Sequence, residues 1–261
     1  MERQGKGSTT KKILFVSALQ AELRVVREVF SPHPKCVQAD FFVSGVWWIE
    51  TTLRLTQKLS HSYYDFIINV WICGYRETKQ DILQITRSVS LSTGKELLVP
   101  QFLKLAPRVS IACSDVPVYD ASLLWEENYV DMESYAIEKV AEYFRIPRLI
   151  LKVPYDKIWQ ETSDFNPSKA QAYLKNTLES LDIYTPLVKY LSSLTEKQDI
   201  SSYLAYYPLT VSEKIIFEKY YYSYISLAKK DFKEFFNSYK QLEKKAFLRQ
   251  LDKTCKELKK L

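Results

Sequence analysis

The stretch from Val130 to Asp156 most constrains what this chain can fold into. It opens on Val130-Asp131-Met132-Glu133-Ser134, and Ala136, Ile137, Val140, Ala141 and Phe144 then recur at helical spacing. Ile146-Pro147 ends that helix, because the residue before a proline avoids the helical region. Leu149-Ile150-Leu151-Lys152-Val153 is short, apolar and mostly branched, which predicts a strand covered on both faces. In parallel α/β sheets a ligand sits outside the carboxyl ends of the strands. Asp156 is therefore expected at the mouth of a site, with Glu133 reaching the same mouth from a helix N-terminus.

The rest of the first 195 residues repeats this alternation. Strands are expected at 13–17, 37–43, 66–70, 82–91 and 109–113. Helices are expected at 18–30, 46–59 and from Pro167, with Asn166 as its cap, to about Leu194. Ser31-Pro32-His33-Pro34 and Ser44-Gly45 supply breaks, and Ser163 to Asn166 a loop. Strands alternating with helices predict a three-layer α/β/α domain over residues 12–195, with a central sheet mostly parallel or mixed.

Beyond residue 195 the pattern changes. Tyr207-Pro208 reads as a boundary, and Thr210 with Glu213 has the spacing of a capping box. Ala228, Phe232, Phe235, Tyr239, Leu242 and Ala246 form one narrow apolar stripe, after which Leu251, Cys255 and Leu258 fall out of phase. Residues 196–261 are thus expected as an α-helical extension, a helical pair packed on the α/β body or on a second copy. Docking of a protein partner through these helices is the sharper alternative. Residues 1–11 read as a polar, flexible leader.

Charge narrows the choice of partners. The net charge is +6, and residues 197–261 carry 14 basic and 8 acidic side chains, which accounts for the whole surplus. A near-neutral α/β body argues against nucleic-acid binding. No apolar run approaches the roughly 18 residues of a membrane span, so no membrane insertion is expected. The four cysteines have no metal-ligand spacing and read as buried thiols of a cytoplasmic protein. Two histidines, in polar loops, leave little material for triad or His-metal chemistry.

Three acidic residues remain as candidates for chemistry. Glu22 lies in the first turn of the helix after the first strand, Glu133 at the start of the helix that follows Ser134, and Asp156 at a strand end. Singly, Glu22 and Glu133 also suit ordinary first-turn acids favoured by the helix dipole, and Asp156 a loop acid paired with Lys152 or Lys157. Together they carry a resemblance. VDMESYAIEKVAEYFRIPRLILKVPYD is similar in order and spacing to the signature of the purine nucleoside phosphorylase superfamily, in particular its 5′-methylthioadenosine/S-adenosylhomocysteine nucleosidases. Ser17-Ala18-Leu19-Gln20-Ala21-Glu22 resembles that family's Gly-Ala-Met-x-x-Glu, and Ser114-Asp115 its (Gly/Ser)-Asp.

The resemblance implies roles. Glu22 would activate the attacking water, Glu133 with Met132 would hold the ribose hydroxyls, and Asp156 would protonate the departing purine at N7. Gly74, Asp115, Val116 and Val118 would border the substrate, Val116 to Val118 as a wall against the base. It implies a nucleoside substrate, no cofactor or metal, and a homo-oligomer, usually a dimer. Breaking an N-glycosidic bond passes through an oxocarbenium-like sugar, which carboxylates stabilise.

The glycine turns depart from the family pattern. Ser-Gly-x-Gly-Lys is here Ser44-Gly45-Val46-Trp47-Trp48, and Asn-x-Gly-(Ser/Thr)-(Ala/Cys)-Gly-Gly is Asn69-Val70-Trp71-Ile72-Cys73-Gly74-Tyr75. The phosphorylase arginines have no counterpart, and Arg76 matches poorly in position. Hydrolysis of a purine nucleoside is therefore expected before phosphorolysis. A non-catalytic relative acting through its helical tail is the third reading.

Overall fold

The computed structural model describes residues 10–158, 166–195, 200–228 and 232–258. Most of the expected leader and residues 163–165 of the expected loop lie outside them. The chain divides into two compact units, Met1–Thr195 and Glu196–Leu261.

In the first unit the order is β1 (Lys11–Ser17), α1 (Gln20–Phe30), β2 (Val37–Val43), α2 (Trp48–His61), β3 (Phe66–Tyr75), β4 (Leu83–Ser90), β5 (Glu96–Leu98), β6 (Arg108–Cys113), β7 (Tyr129–Asp131), α3 (Ser134–Phe144), β8 (Arg148–Lys157), α4 (Pro167–Glu179) and α5 (Tyr184–Thr195). The strands form one mixed sheet. β1 pairs with β2 and β3, β3 with β8, β4 with β6 and β6 with β7 in parallel. β3–β7, β4–β5 and β4–β8 are antiparallel. The pairings β3–β7–β6–β4–β8–β3 close on themselves, so the strand ends around β3, β7 and β8 enclose a space.

Helices cover both faces. Val25, Val26 and Phe30 of α1, with Leu174 and Leu178 of α4 and Leu187 and Leu191 of α5, bury against Phe15, Phe66, Ile68 and Leu151. On the other face Leu55 and Leu59 of α2, with Ile137, Val140 and Ala141 of α3, bury against Leu14, Ile67 and Ile150. This is the expected three-layer α/β/α arrangement, with the branched run of β8 buried on both sides.

Three local expectations change and one holds. Val130-Asp131, which read as a helix start, is the short strand β7, and the helix begins at Ser134. β5 and β7 are each three residues long, too short to show a period. The single helix from 167 to 194 is two, because the Asp182 carboxylate accepts Thr185 N–H at 3.0 Å and caps a new start. α3 ends as expected before Ile146-Pro147, with Arg145 left-handed at φ 56° and its N–H returned to Ala141 and Glu142 carbonyls.

The second unit has α6 (Ile200–Tyr206), α7 (Val211–Ala228), α8 (Phe232–Tyr239) and α9 (Lys244–Leu258). The capping box forms: Thr210 N–H donates to Glu213 Oε2 at 2.8 Å, and Glu213 N–H to Thr210 Oγ1 at 3.3 Å. The aromatic stripe is broken by a turn at 240–243, so its slip at Leu251 is the phase of a new helix. In place of the expected helical pair, four helices share a core of Tyr203, Tyr207, Phe217, Tyr221, Tyr224, Phe232, Phe235, Phe236, Phe247 and Leu251. Tyr207 is not a boundary but part of that core, with its hydroxyl donating to Lys240 O at 3.0 Å.

Candidate active site

A cavity of about 190 Å³ opens at the strand ends and is lined by Glu22, Asp131, Glu133 and Asp156 among mostly apolar neighbours. Each carboxylate arrives by a different route. Glu22 is held in the first turn of α1, where its Oε2 accepts Leu19 N–H at 3.1 Å. Asp131 is the last residue of β7. Glu133 sits at the N-terminal boundary of α3. Asp156 is half-buried near the end of β8, which runs four residues further than the apolar period showed.

Burial sets the chemistry of two of them. Glu22 is 7% exposed, and desolvation pushes its carboxyl up to about 7 against the pull of Leu19 N–H, the Lys152 ammonium and Ile72 N–H. Glu133 is pushed up to about 8, first by burial and then by the charge of Asp131. Lys152 and Trp47 N–H oppose that rise. The Glu133 carboxylate accepts Trp47 N–H at 3.1 Å and Met132 N–H at 3.2 Å. Trp47 stands at φ 73° and ψ 146°, a backbone region nearly reserved for glycine. The turn before α2 thus keeps a glycine-like path although tryptophan occupies the position.

The walls are graded. Leu19 and Val116 are exposed and mark the mouth, Pro117 and Val118 continue one wall, and Trp71 is almost fully buried at the base. Gly74 fits closely: a Cβ there would stand 3.2 Å from Val130 Cγ1 and 3.5 Å from Ile158 Cγ1. The structure therefore gathers Glu22, Gly74, Val116, Val118, Met132, Glu133 and Asp156 around one cavity. Asp115 is not among the lining residues, and it is exposed.

Sequence reasoning missed Asp131 and Lys152. Asp131 Oδ2 accepts Ser134 Oγ–H at 2.6 Å, Ser134 N–H at 3.1 Å and Trp71 Nε1–H at 3.4 Å. Lys152 Nζ stands 2.6 Å from the same oxygen and 4.0 Å from the centre of the Trp71 ring. Lys152 was a candidate partner for Asp156, but its ion pair is with Asp131. The one available signal was a lysine inside an otherwise apolar strand.

Arg76 and Arg87 are engaged elsewhere. Arg76 Nη1 donates to the carbonyls of Leu124 at 3.2 Å and Trp125 at 3.4 Å, tying down the segment after β6. Arg87 pairs with Glu127 at 2.9 Å and Glu96 at 3.0 Å. Among the described residues no cationic side chain lines the cavity.

No family model matches the sequence, and no curated protein matches it. Solved structures do match. The fold is that of solved 5′-methylthioadenosine/S-adenosylhomocysteine nucleosidases (MTAN). The MTAN of Chlamydia trachomatis bound to MTA is similar with a TM-score of 0.56 and 24% identity, over 70% of this chain and 99% of that one. The nucleosidase of Campylobacter jejuni aligns at 0.55 and 13% identity, over 70% and 100% of the two chains. A putative nucleosidase of Francisella philomiragia aligns at 0.56 and 15% identity, over 72% and 100%.

Proposed function

We propose that the protein hydrolyses the N-glycosidic bond of a purine nucleoside, with 5′-methylthioadenosine or S-adenosylhomocysteine as the leading candidates. The observation that carries this reading is the lining of the cavity: four carboxylates and, among the described residues, no cation. Such a pocket offers carboxylates to a sugar that develops positive charge and no cationic side chain to hold a phosphate dianion. Phosphorolysis needs that dianion, and Arg76 and Arg87 are both spent on protein groups. The similar Chlamydia structures hold MTA or adenine, which supports an adenine nucleoside here.

In this reading Asp156 gives a proton to purine N7 as the bond from C1′ to N9 breaks and its electron pair leaves with the base. Glu22 takes a proton from water as the oxygen attacks C1′. Glu133, with Met132, accepts hydrogen bonds from the ribose hydroxyls. Val116, Pro117 and Val118 face the base. A general acid of this kind contributes about 10²–10⁴-fold. The reaction calls on no metal or cofactor. We further propose that the protein is a homo-oligomer through the exposed apolar side chains Trp48, Ile49 and Leu53 of α2. None of its four cysteines is in a disulfide, which suits a cytoplasmic location.

Base release from methylthioadenosine, adenosylhomocysteine, inosine and adenosine, with and without phosphate, tests the reading. Phosphate-independent release that falls by about 10²-fold or more in Asp156→Asn is the expected result. Release that requires phosphate would make the protein a phosphorylase. No release from any substrate at high protein concentration would make it a non-catalytic relative, with Trp71 filling the base of the pocket.

A further inference from the structure

We propose that Lys79 is a positioning residue for Asp156, holding the bulged end of β8 from a cage of three tyrosines. This rests on the hydrolase reading above. Lys79 lies on the connection between β3 and β4 and is exposed as a residue. A surface lysine ordinarily leaves its ammonium in water. Here Nζ is turned onto rings, 4.3 Å from the centre of Tyr173, 5.6 Å from Tyr155 and 5.8 Å from Tyr75. Aromatic faces hold a cation at such separations. The rings come from three elements, since Tyr75 ends β3, Tyr155 belongs to β8 and Tyr173 to α4. Tyr155 and Tyr173 also pack on each other, with centroids 5.8 Å apart.

The ammonium has one further contact, and it points to the site. Nζ donates to the Tyr155 carbonyl oxygen at 3.4 Å. That carbonyl belongs to the peptide unit joining Tyr155 to Asp156, which is planar and moves as one piece. Lys79 therefore holds the plane from which the Asp156 side chain departs. The need for such a hold is local. Cys73 of β3 faces Pro154 and Tyr75 faces Lys157, so Gly74 alone stands opposite both Tyr155 and Asp156. A bulge of this kind disrupts the ladder, bends its strand and re-aims a side chain. Asp156 lines the cavity and Tyr155 does not. The direction of Asp156 thus depends on what fixes the bulge from outside the ladder.

Lys79 is itself presented from a fixed backbone. Arg76 N–H donates to Asn128 O at 2.7 Å. Asn128 Oδ1 accepts Glu77 N–H at 2.8 Å and Thr78 N–H at 3.3 Å, and its Nδ2–H donates to Thr78 O at 2.7 Å. The chain is therefore tied down to the residue before Lys79, against the residue that precedes β7. Lys79 carries that anchorage across to β8. A general acid must meet its target atom in line, so a small displacement of Asp156 slows bond breaking more than it weakens binding.

The test measures base release from methylthioadenosine by the full-length protein and by Lys79→Met, Lys79→Arg and Tyr173→Leu, with Lys79→Met also combined with Asp156→Asn. Lys79→Met is expected to lower kcat about tenfold and to leave KM within about twofold. Lys79→Arg keeps a cation over the rings and stays within about threefold of the wild type. In the Asp156→Asn background Lys79→Met removes less than about twofold, because two residues on one path do not add. In parallel, NMR of ε-¹³C-labelled lysine reads the cage without turnover. The Lys79 signal, assigned by its absence from Lys79→Arg, is expected upfield of the other lysines through the three ring currents, and Tyr173→Leu moves it back.

Equal losses from Lys79→Met in the two backgrounds, a loss carried by KM alone, or no loss at all overturns the proposal. So does an unshifted Lys79 signal in the wild type. A wild-type protein without turnover ends the hydrolase reading and the role of Lys79 with it. Normal turnover with any of the other contrary results ends the inference alone.

Discussion

The pocket of the α/β unit and the core of the helical unit bury their side chains for opposite purposes. The pocket gathers Glu22, Asp131, Glu133 and Lys152 out of water. The helical core gathers rings: Phe232 alone packs against Tyr203, Phe217, Tyr221, Tyr224, Phe235 and Phe236 at centroid separations of 4.7–6.4 Å. Burying rings stabilises a fold directly. Burying carboxylates costs stability and leaves them with shifted proton affinities, which is what an acid–base site needs. Burial thus shifts proton affinities in one region and adds stability in the other.

Phe232→Ala should have the largest effect on that contrast. Deleting a fully buried aromatic side chain costs about 3–5 kcal/mol, read as an early loss of helical signal by circular dichroism at 222 nm. All five tryptophans lie at or before position 159, so tryptophan fluorescence reports the α/β unit. An unchanged fluorescence transition is expected. An equal shift in both signals would break the comparison and make the two units one cooperative block.

The response to pH should differ in sign. Glu22 and Glu133 hold protons in the folded state up to about 7 and about 8, whereas the unfolded chain releases them near 4.5. The fluorescence melting temperature should therefore fall as pH rises from about 5 to 8, because the folded state binds more protons in that window. Glu133→Gln should flatten part of the fall. Glu213 behaves oppositely. The Lys244 ammonium at 2.9 Å, and then Thr210 N–H, hold its carboxyl down at about 2. Its contribution is present above 4.5 and is lost as pH drops toward 2. A fluorescence melting temperature that does not fall between pH 5 and 8 would show that the two pocket glutamates are ionised in the folded protein.

The smallest change tests the capping box. Thr210→Ala removes the acceptor for Glu213 N–H and should cost about 1 kcal/mol, seen only in the 222 nm transition. A loss well beyond that would mean Thr210 holds more of the unit than the start of α7.

Much of this was legible along the chain, because it depends on local pattern. The apolar periods of α1, α3, β1 and β8 place those elements within a few residues. The spacing from strand to acid puts Glu22, Glu133 and Asp156 at the same end of the sheet. Thr210 and Glu213 form their cap as read. Short elements were not legible: β5 and β7 carry no period, and one capping aspartate, Asp182, divided a helix that looked continuous. Asp115 shows the same limit at the site, since a turn residue's direction is set by the chain that follows it.

The sequence by itself determined the layering of the α/β unit, the helical character of the tail and the three acids at the sheet's edge, all consequences of periodicity, caps and breaks. Only the tertiary structure decided which charges meet. Asp131, Lys152 and Trp71 come from β7, β8 and β3, so their contact exists only once those strands pair. The aromatic stripe likewise did not reveal what it packs against. That question is answered by long-range packing, which closes four helices on their own rings.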